Sequence, residues 1–356
     1  MNVLDSAGAR PTFAISPMNI KEVAKRARVS TATVSRTVNQ VGIVRPETSE
    51  KVWRVIHALG YQPNTYARAL VSGKSHLLGL IISDIANPFF PELVKCFENC
   101  ALANGMEVIV ANTNYDPDRM SLSVRRMLQR NVDGVAVMTS EMEKGLIINM
   151  ERRRIPMVFL DTGRVRSRIS NLRVDYARGI RETVEYLIRL GHRHIAFISG
   201  PLELRSARTR RSAFMKWLKY YGLLPNDALI PFGNHKIDGG EKAMEQLLAV
   251  PQRPTAVLAS NDLTAIGALR AIHAAELKVP EDISLVGFDD IDFSQYTQPA
   301  LSTIRLSRSQ LAEKAMKALL DIIRGKSHRG REYRVETHLI VRGSTGQCAT
   351  RAEAQA

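Results

Sequence analysis

From Leu77 onward, apolar residues come in short runs separated by amphipathic stretches. Runs at 77 to 82, 106 to 111, 134 to 138 and 156 to 160 alternate with helical periods at about 89 to 104, 117 to 131 and 143 to 153. That alternation predicts strand, helix, strand and a parallel sheet. A second set of runs at 194 to 199, 255 to 260 and 283 to 288, with helices near 177 to 191, 207 to 222, 239 to 250 and 262 to 277, repeats it. The expectation is two similar α/β lobes.

Before Leu77 the pattern is helical. Ile20, Val23, Ala24 and Ala27 recur on one side behind Asn19 and Glu22, a capping box. Arg28-Val29 makes a tight connection, and Ser30 caps a second helix whose narrow apolar stripe, Val34 with Val38, faces the first. Pro46 opens a third helix with Val52, Val55, Ile56 and Leu59 on one face, and Gly60 stops it. Asn64 can cap about two more turns ending before Gly73, too short to be stable without a partner, which suits a hinge that folds on demand.

The second helix has another side. Thr31, Ser35 and Asn39 form one row and Ala32 with Arg36 the next, a small, polar and cationic face that fits a major groove. Charge supports a polyanion as partner. The chain nets +15, and residues 18 to 76 hold ten Lys or Arg against three Glu, so +7 falls beside the helix pair. No apolar run is long enough to span a bilayer and residues 1 to 17 lack a signal-peptide layout, so a cytoplasmic protein with no membrane partner is expected. Cys96, Cys100 and Cys348 have no metal spacing and are expected to be buried, reduced thiols.

Val-Ser-x-x-Thr-Val-Ser-Arg at 29 to 36, Gly-Tyr-x-Pro-Asn at 60 to 64, Ala-Arg-x-Leu at 67 to 70 and Asn-Pro-Phe-Phe at 87 to 90 occur in the order and spacing of one family. The chain resembles the lactose-repressor family of bacterial transcription regulators from about residue 18 to about 346. Residues 1–17, with Pro and Gly and no period, read as a disordered arm and 347–356 as a disordered tail; between them the resemblance implies a helix-turn-helix DNA-binding domain at 18–63, a hinge helix and linker at 64–76 and a two-lobed effector-binding and dimerisation domain at 77–346. The implied fold is α/β, a three-helix head and hinge followed by two doubly wound lobes like those of periplasmic sugar-binding proteins. A helix near 307 to 324 would return to the first lobe, and a last strand near 335 to 342 would end on the second. It also implies that Thr31 and Ala32 bias operator choice and that Leu70 wedges open the central base step from the minor groove. Thr33, Ser35, Arg36, Asn39, Asn64, Ala67 and Arg68 complete the expected DNA-contacting set.

Open parallel sheets bind ligands beyond the carboxyl ends of their strands. Asp84, Asn87, Thr139, Ser140, Glu141, Asp161, Gly200, Asn261, Asp262, Asp289 and Asp290 follow the predicted strands, with Phe89, Phe90 and Phe288 as an apolar floor. Such a set suits a compact polyhydroxylated molecule. The resemblance singles out Asp161, Arg208, Asn261 and Asp289 as effector contacts; Asp84, Phe89, Thr139 and Glu141 complete the candidate set. An enzyme is not expected. No Gly-rich turn follows the first strand, no Walker loop occurs, His192 and His194 read as surface histidines, and no base or nucleophile accompanies Asp289-Asp290. No cofactor or metal is expected. The expected function is a homodimeric repressor of a palindromic double-stranded operator, controlled by a sugar, sugar acid or similar effector. The alternatives are a regulator switched by a protein co-repressor, and a sugar-binding protein without DNA activity.

Overall fold

The computed structural model describes residues 19–39, 42–61, 74–139, 144–161 and 165–349. The chain divides into two compact units, a head up to Ser75 and a body from His76.

In the head, α1 (Ile20–Ala27), α2 (Thr31–Asn39) and α3 (Pro46–Leu59) enclose Val23, Ala24, Ala27, Val34, Val52 and Ile56. Asn19 caps α1 by accepting from the Glu22 N–H at 3.1 Å. Arg28 takes the left-handed conformation (φ 52°) that turns the chain, and Ser30 Oγ accepts from the Thr33 N–H at 3.1 Å to start α2. Gly60, also left-handed, ends α3.

The body is built on a ten-stranded sheet of order β2-β1-β3-β4-β5-β10-β9-β8-β7-β6 among the described residues. Lobe one holds β1 (Leu77–Ile82), β2 (Glu107–Asn112), β3 (Gly134–Met138), β4 (Met157–Leu160) and β5 (Ile169–Asp175), all parallel. Helices α4 (Phe89–Leu102), α5 (Pro117–Gln129) and α6 (Lys144–Arg152) belong with it. Lobe two holds β6 (Ile195–Ile198), β7 (Ala256–Ala259), β8 (Ser284–Asp289) and β9 (Ser302–Leu306), with α7 (Tyr176–Arg189), α8 (Arg205–Tyr220), α9 (Ile237–Ala249) and α10 (Asp262–Ala274). Helix α11 (Arg308–Ile323) returns to pack on α4.

Four features depart from the expectation. The last strand, β10 (Glu332–Ile340), does not simply end on lobe two: Glu332–Glu336 pair parallel with β5 and Thr337–Ile340 antiparallel with β9, so one strand joins the lobes. Strands β5 and β9 lacked an apolar run because their buried Ser170, Asn171, Ser302 and Thr303 are polar, the first three satisfied across the joint and Thr303 by Asp262 and the Asp290 N–H. Asn171 donates to Glu332, Ser170 accepts from Arg331, and Ser302 accepts from Arg342. His192 is not a surface residue. It is 1% exposed, its ring bonded to Thr255 and Ser284 and against the Gly346 carbonyl, and burial pushes its pKa down. The three thiols are free but only partly buried.

Candidate functional site

Helix α2 buries Val34 and Thr37, and that rotation fixes what it presents on the other side. Thr31, Ala32 and Arg36 are exposed, and Ser35 and Asn39 are half-buried. Asn39 donates to Ser35 Oγ at 3.1 Å, which holds that row in place. Thr33 sits to the side, its hydroxyl 2.9 Å from that of Ser30 at the helix start. The head therefore offers one cation, three small side chains and an amide on one side of the helix, groups able to meet guanine, thymine methyl and adenine edges. Asn64, Ala67, Arg68 and Leu70 lie outside the described residues.

In the body the strand ends of the two lobes face one another across a crevice. Ser83, Phe89, Phe90, Thr139 and Asp161 line it from lobe one, and Ser206, Arg210, His235 and Asp289 from lobe two, with Tyr176 at the crossing between them. Arg210 is the centre of this arrangement. Its guanidinium lies 3.9 Å from the Phe288 ring centroid and 5.0 Å from that of Tyr176, donates to the Ser260 carbonyl and stands 3.5 Å from Asp289 Oδ1. Its Nε is buried and has no partner among the described residues. Burial pushes the Asp289 carboxyl up to about 6, outweighing the opposing effect of Arg210. Asp161, in left-handed backbone (φ 55°), accepts from the Val174 N–H at 2.8 Å and the Tyr176 hydroxyl at 2.6 Å; burial raises it too. His235 is pushed down to about 3 by burial and by Arg210, so it is neutral near pH 7, and its Nε2 is buried without a partner among the described residues.

Phe89, Thr139, Asp161 and Asp289 thus come together as lining residues, and three other candidates do not. Arg208 is exposed, and its guanidinium is spent on the Leu202 and Glu203 carbonyls at the turn before α8. Asn261 is the N-cap of α10, accepting from Thr264 N–H at 2.9 Å, and supports the crevice only indirectly by donating to the His235 carbonyl. Asp84 caps its own turn through the Ala86 N–H at 3.0 Å. Glu141 lies outside the described residues. His235 and Tyr176 were missed, and Arg210, one of a run with Arg205, Arg208 and Arg211, was not among the expected contacts because such a run reads as a solvated helix face. For Arg210 a signal existed: Ala207, Arg210, Ala213 and Phe214 share the buried side of α8, which places the arginine inside by period alone.

A model of the lacI family of bacterial regulatory proteins matches residues 19–64, and one of periplasmic binding protein-like domains matches residues 184–345. The HTH-type transcriptional repressor PurR of Erwinia tasmaniensis is 37% identical over 327 residues, 91% of this chain and 96% of that protein. The PurR repressor of Klebsiella pneumoniae is 36% identical over the same shares. Among solved structures, the lac repressor dimer bound to operator and the anti-inducer ONPF matches with a TM-score of 0.82 at 30% identity, covering 93% of this chain and 100% of that one. The complex of the regulator CelR with cellobiose matches at 0.70 and 27%, covering 92% and 99%. A lacI-family regulator from Enterococcus faecium with bound ribose matches at 0.68 and 28%, covering 76% and 99%. The chain therefore belongs to the lacI family of bacterial regulatory proteins, and is a DNA-binding transcriptional repressor rather than an enzyme.

Proposed function

We propose that this repressor works in the bacterial cytoplasm as a homodimer whose heads read the two halves of a palindromic operator through Thr31, Ala32, Ser35 and Arg36. Its operator affinity is set by a sugar or sugar derivative held between the lobes. The observation that carries the effector reading is the pair of buried nitrogens without partners among the described residues, Arg210 Nε and neutral His235 Nε2, on residues that line the crevice together with Asp161 and Asp289. Hydroxyl groups satisfy both sets at once, since each can donate to a carboxylate and accept from a guanidinium. The rings of Phe89 and Tyr176 supply apolar faces for the C–H side of a sugar. Cellobiose and ribose, bound by the two related regulators, are ligands of this chemistry. For a second copy, the exposed Ile237, Phe293 and Tyr296 offer an apolar surface to cover.

Effector binding acts by its differential affinity for the lobe arrangements, and couplings of ~1 to 3 kcal/mol correspond to roughly 5- to 150-fold changes in operator affinity. The test is a thermal-shift screen of the full chain against sugars, sugar acids and nucleobases, followed by operator binding with each hit. A sugar or sugar acid should raise the melting temperature, and Arg210→Ala should remove that rise. Stabilisation by nucleobases alone, or a sugar response that survives Arg210→Ala, would overturn this assignment of the effector.

A further inference from the structure

We propose that the body carries a second, sequence-independent contact for duplex DNA, an arginine-lined hollow that takes backbone phosphates at the edge of lobe one opposite the crevice. The parallel strands put their first residues on one edge: Leu78 is level with Gly134, Val135 with Met157, and Met157 with Ile169. His76, through which the chain enters the body from the head, is on that edge beside Leu77. Three basic segments converge there, the turn after α6, residues 166 to 168, and the turn after α11. The His328 carbonyl accepts from the Arg168 N–H at 3.1 Å, and the Arg154 carbonyl accepts from Arg168 Nη1 at 3.2 Å.

Between them is a hollow of about 470 Å³, lined by Arg154, Arg166, Arg168 and His328. Glu151 is the one carboxylate among its lining residues, and it already faces Arg166 at 3.6 Å. Charge concentrates here. Residues 151 to 157, 165 to 168 and 324 to 331 together hold nine Lys or Arg and one acid, a net +8 that equals the net charge of everything after residue 76. Arg154 and Arg168 also sit in left-handed backbone, φ 57° and 59°, where glycine or asparagine is easier to place. Exposed Arg152, Arg153 and Arg329 extend the cationic surface beyond the hollow. Arginine forks match phosphate oxygens, and several of them spread along one edge suit a run of phosphates better than a single small anion. This contact rests on the DNA-binding function alone and not on the identity of the effector.

The test uses the full chain with Arg154, Arg166 and Arg329 all changed to Gln, beside the charge-preserving change of all three to Lys. A palindrome selected from a randomised pool and a scrambled duplex, both in long flanking DNA, are titrated across salt concentrations. Each lost phosphate contact should lower the slope of log affinity against log salt by about 0.9, so three lost contacts shrink the affinity drop between 50 and 200 mM salt by about 40-fold. The slope should fall alike on both duplexes, because phosphate contacts carry no sequence information, and the Lys variant should keep the original slope. An unchanged slope in the Gln variant would overturn the proposal. So would an equal fall in the Lys variant, or a Gln variant that loses binding only to RNA or to anionic vesicles. Failure of the wild type to prefer the palindrome would count against operator reading instead.

Discussion

At the scale of residues, Asp289 holds two opposing requirements. It is 5% exposed, and its carboxyl is raised from 3.8 to about 6. An acid whose folded pKa lies above its unfolded one adds stability only below about pH 4, and loses it as pH rises through 6. Two pKa units correspond to about 3 kcal/mol. Asp289→Asn should therefore raise the melting temperature by about 5 °C at pH 8, with the gain vanishing toward pH 4, while abolishing the sugar response. Calorimetry across that range checks it; a variant less stable than wild type at pH 8 would mean that the Arg210 pair outweighs burial. Single-residue roles were only partly legible in the sequence. Positions after strands could be listed from the pattern, yet Asn261 turned out to cap a helix and Arg208 to hold a turn, because a strand end places a residue near the crevice without fixing where its side chain points. Arg210 was legible from helical period, and His235 was not, since no periodic element contains it.

At the scale of elements, α9 and α10 pack through glycine. A Cβ on Gly267 would lie 1.9 Å from the Ile237 carbonyl oxygen, and one on Gly240 would lie 2.1 Å from that of Thr264. Backbone cannot yield as a flexible side chain does, so Gly267→Ala should cost the body about 3 kcal/mol or more in urea unfolding. A cost below about 1 kcal/mol would show that the two helices are free to move apart. In the head, Ser30→Ala removes the α2 cap and should cost about 1 kcal/mol, seen as weaker operator binding with an unchanged effector response. A loss of the effector response as well would mean that Ser30 acts beyond its own helix. Element existence was the most legible part of the chain. The helices of the lobes before α11 and each strand made of aliphatic residues showed their period, whereas β5 and β9 stayed hidden because polar Ser170, Asn171, Ser302 and Thr303 interrupt their buried Ile169, Leu172, Ile304 and Leu306.

At the scale of the whole molecule, β10 joins the two lobes, and a group of polar contacts beside the crevice also links them. Glu92 on α4 accepts from the Asp292 N–H at 3.0 Å beyond β8 and pairs with Arg308 at 2.7 Å, while Arg308 also donates to the Asp289 carbonyl at 2.7 Å. This clasp ties lobe one to the backbone of a crevice residue. Glu92→Ala should weaken sugar binding by about tenfold, ~1.4 kcal/mol, in calorimetric titration; unchanged affinity would show that the clasp and the crevice are independent. The two-lobed plan followed from the repeated alternation of runs, whereas the crossings between lobes came from family resemblance, since periodicity is blind to which sheet a strand joins. The most direct measurement concerns the head. Wild type and Arg36→Ala are compared at fixed salt for binding to a selected palindrome and to its scrambled counterpart. Wild type should prefer the palindrome by about 10³-fold or more, and loss of Arg36 should cut that ratio by roughly 5- to 150-fold, ~1 to 3 kcal/mol. A ratio that does not change would show that this face does not read DNA.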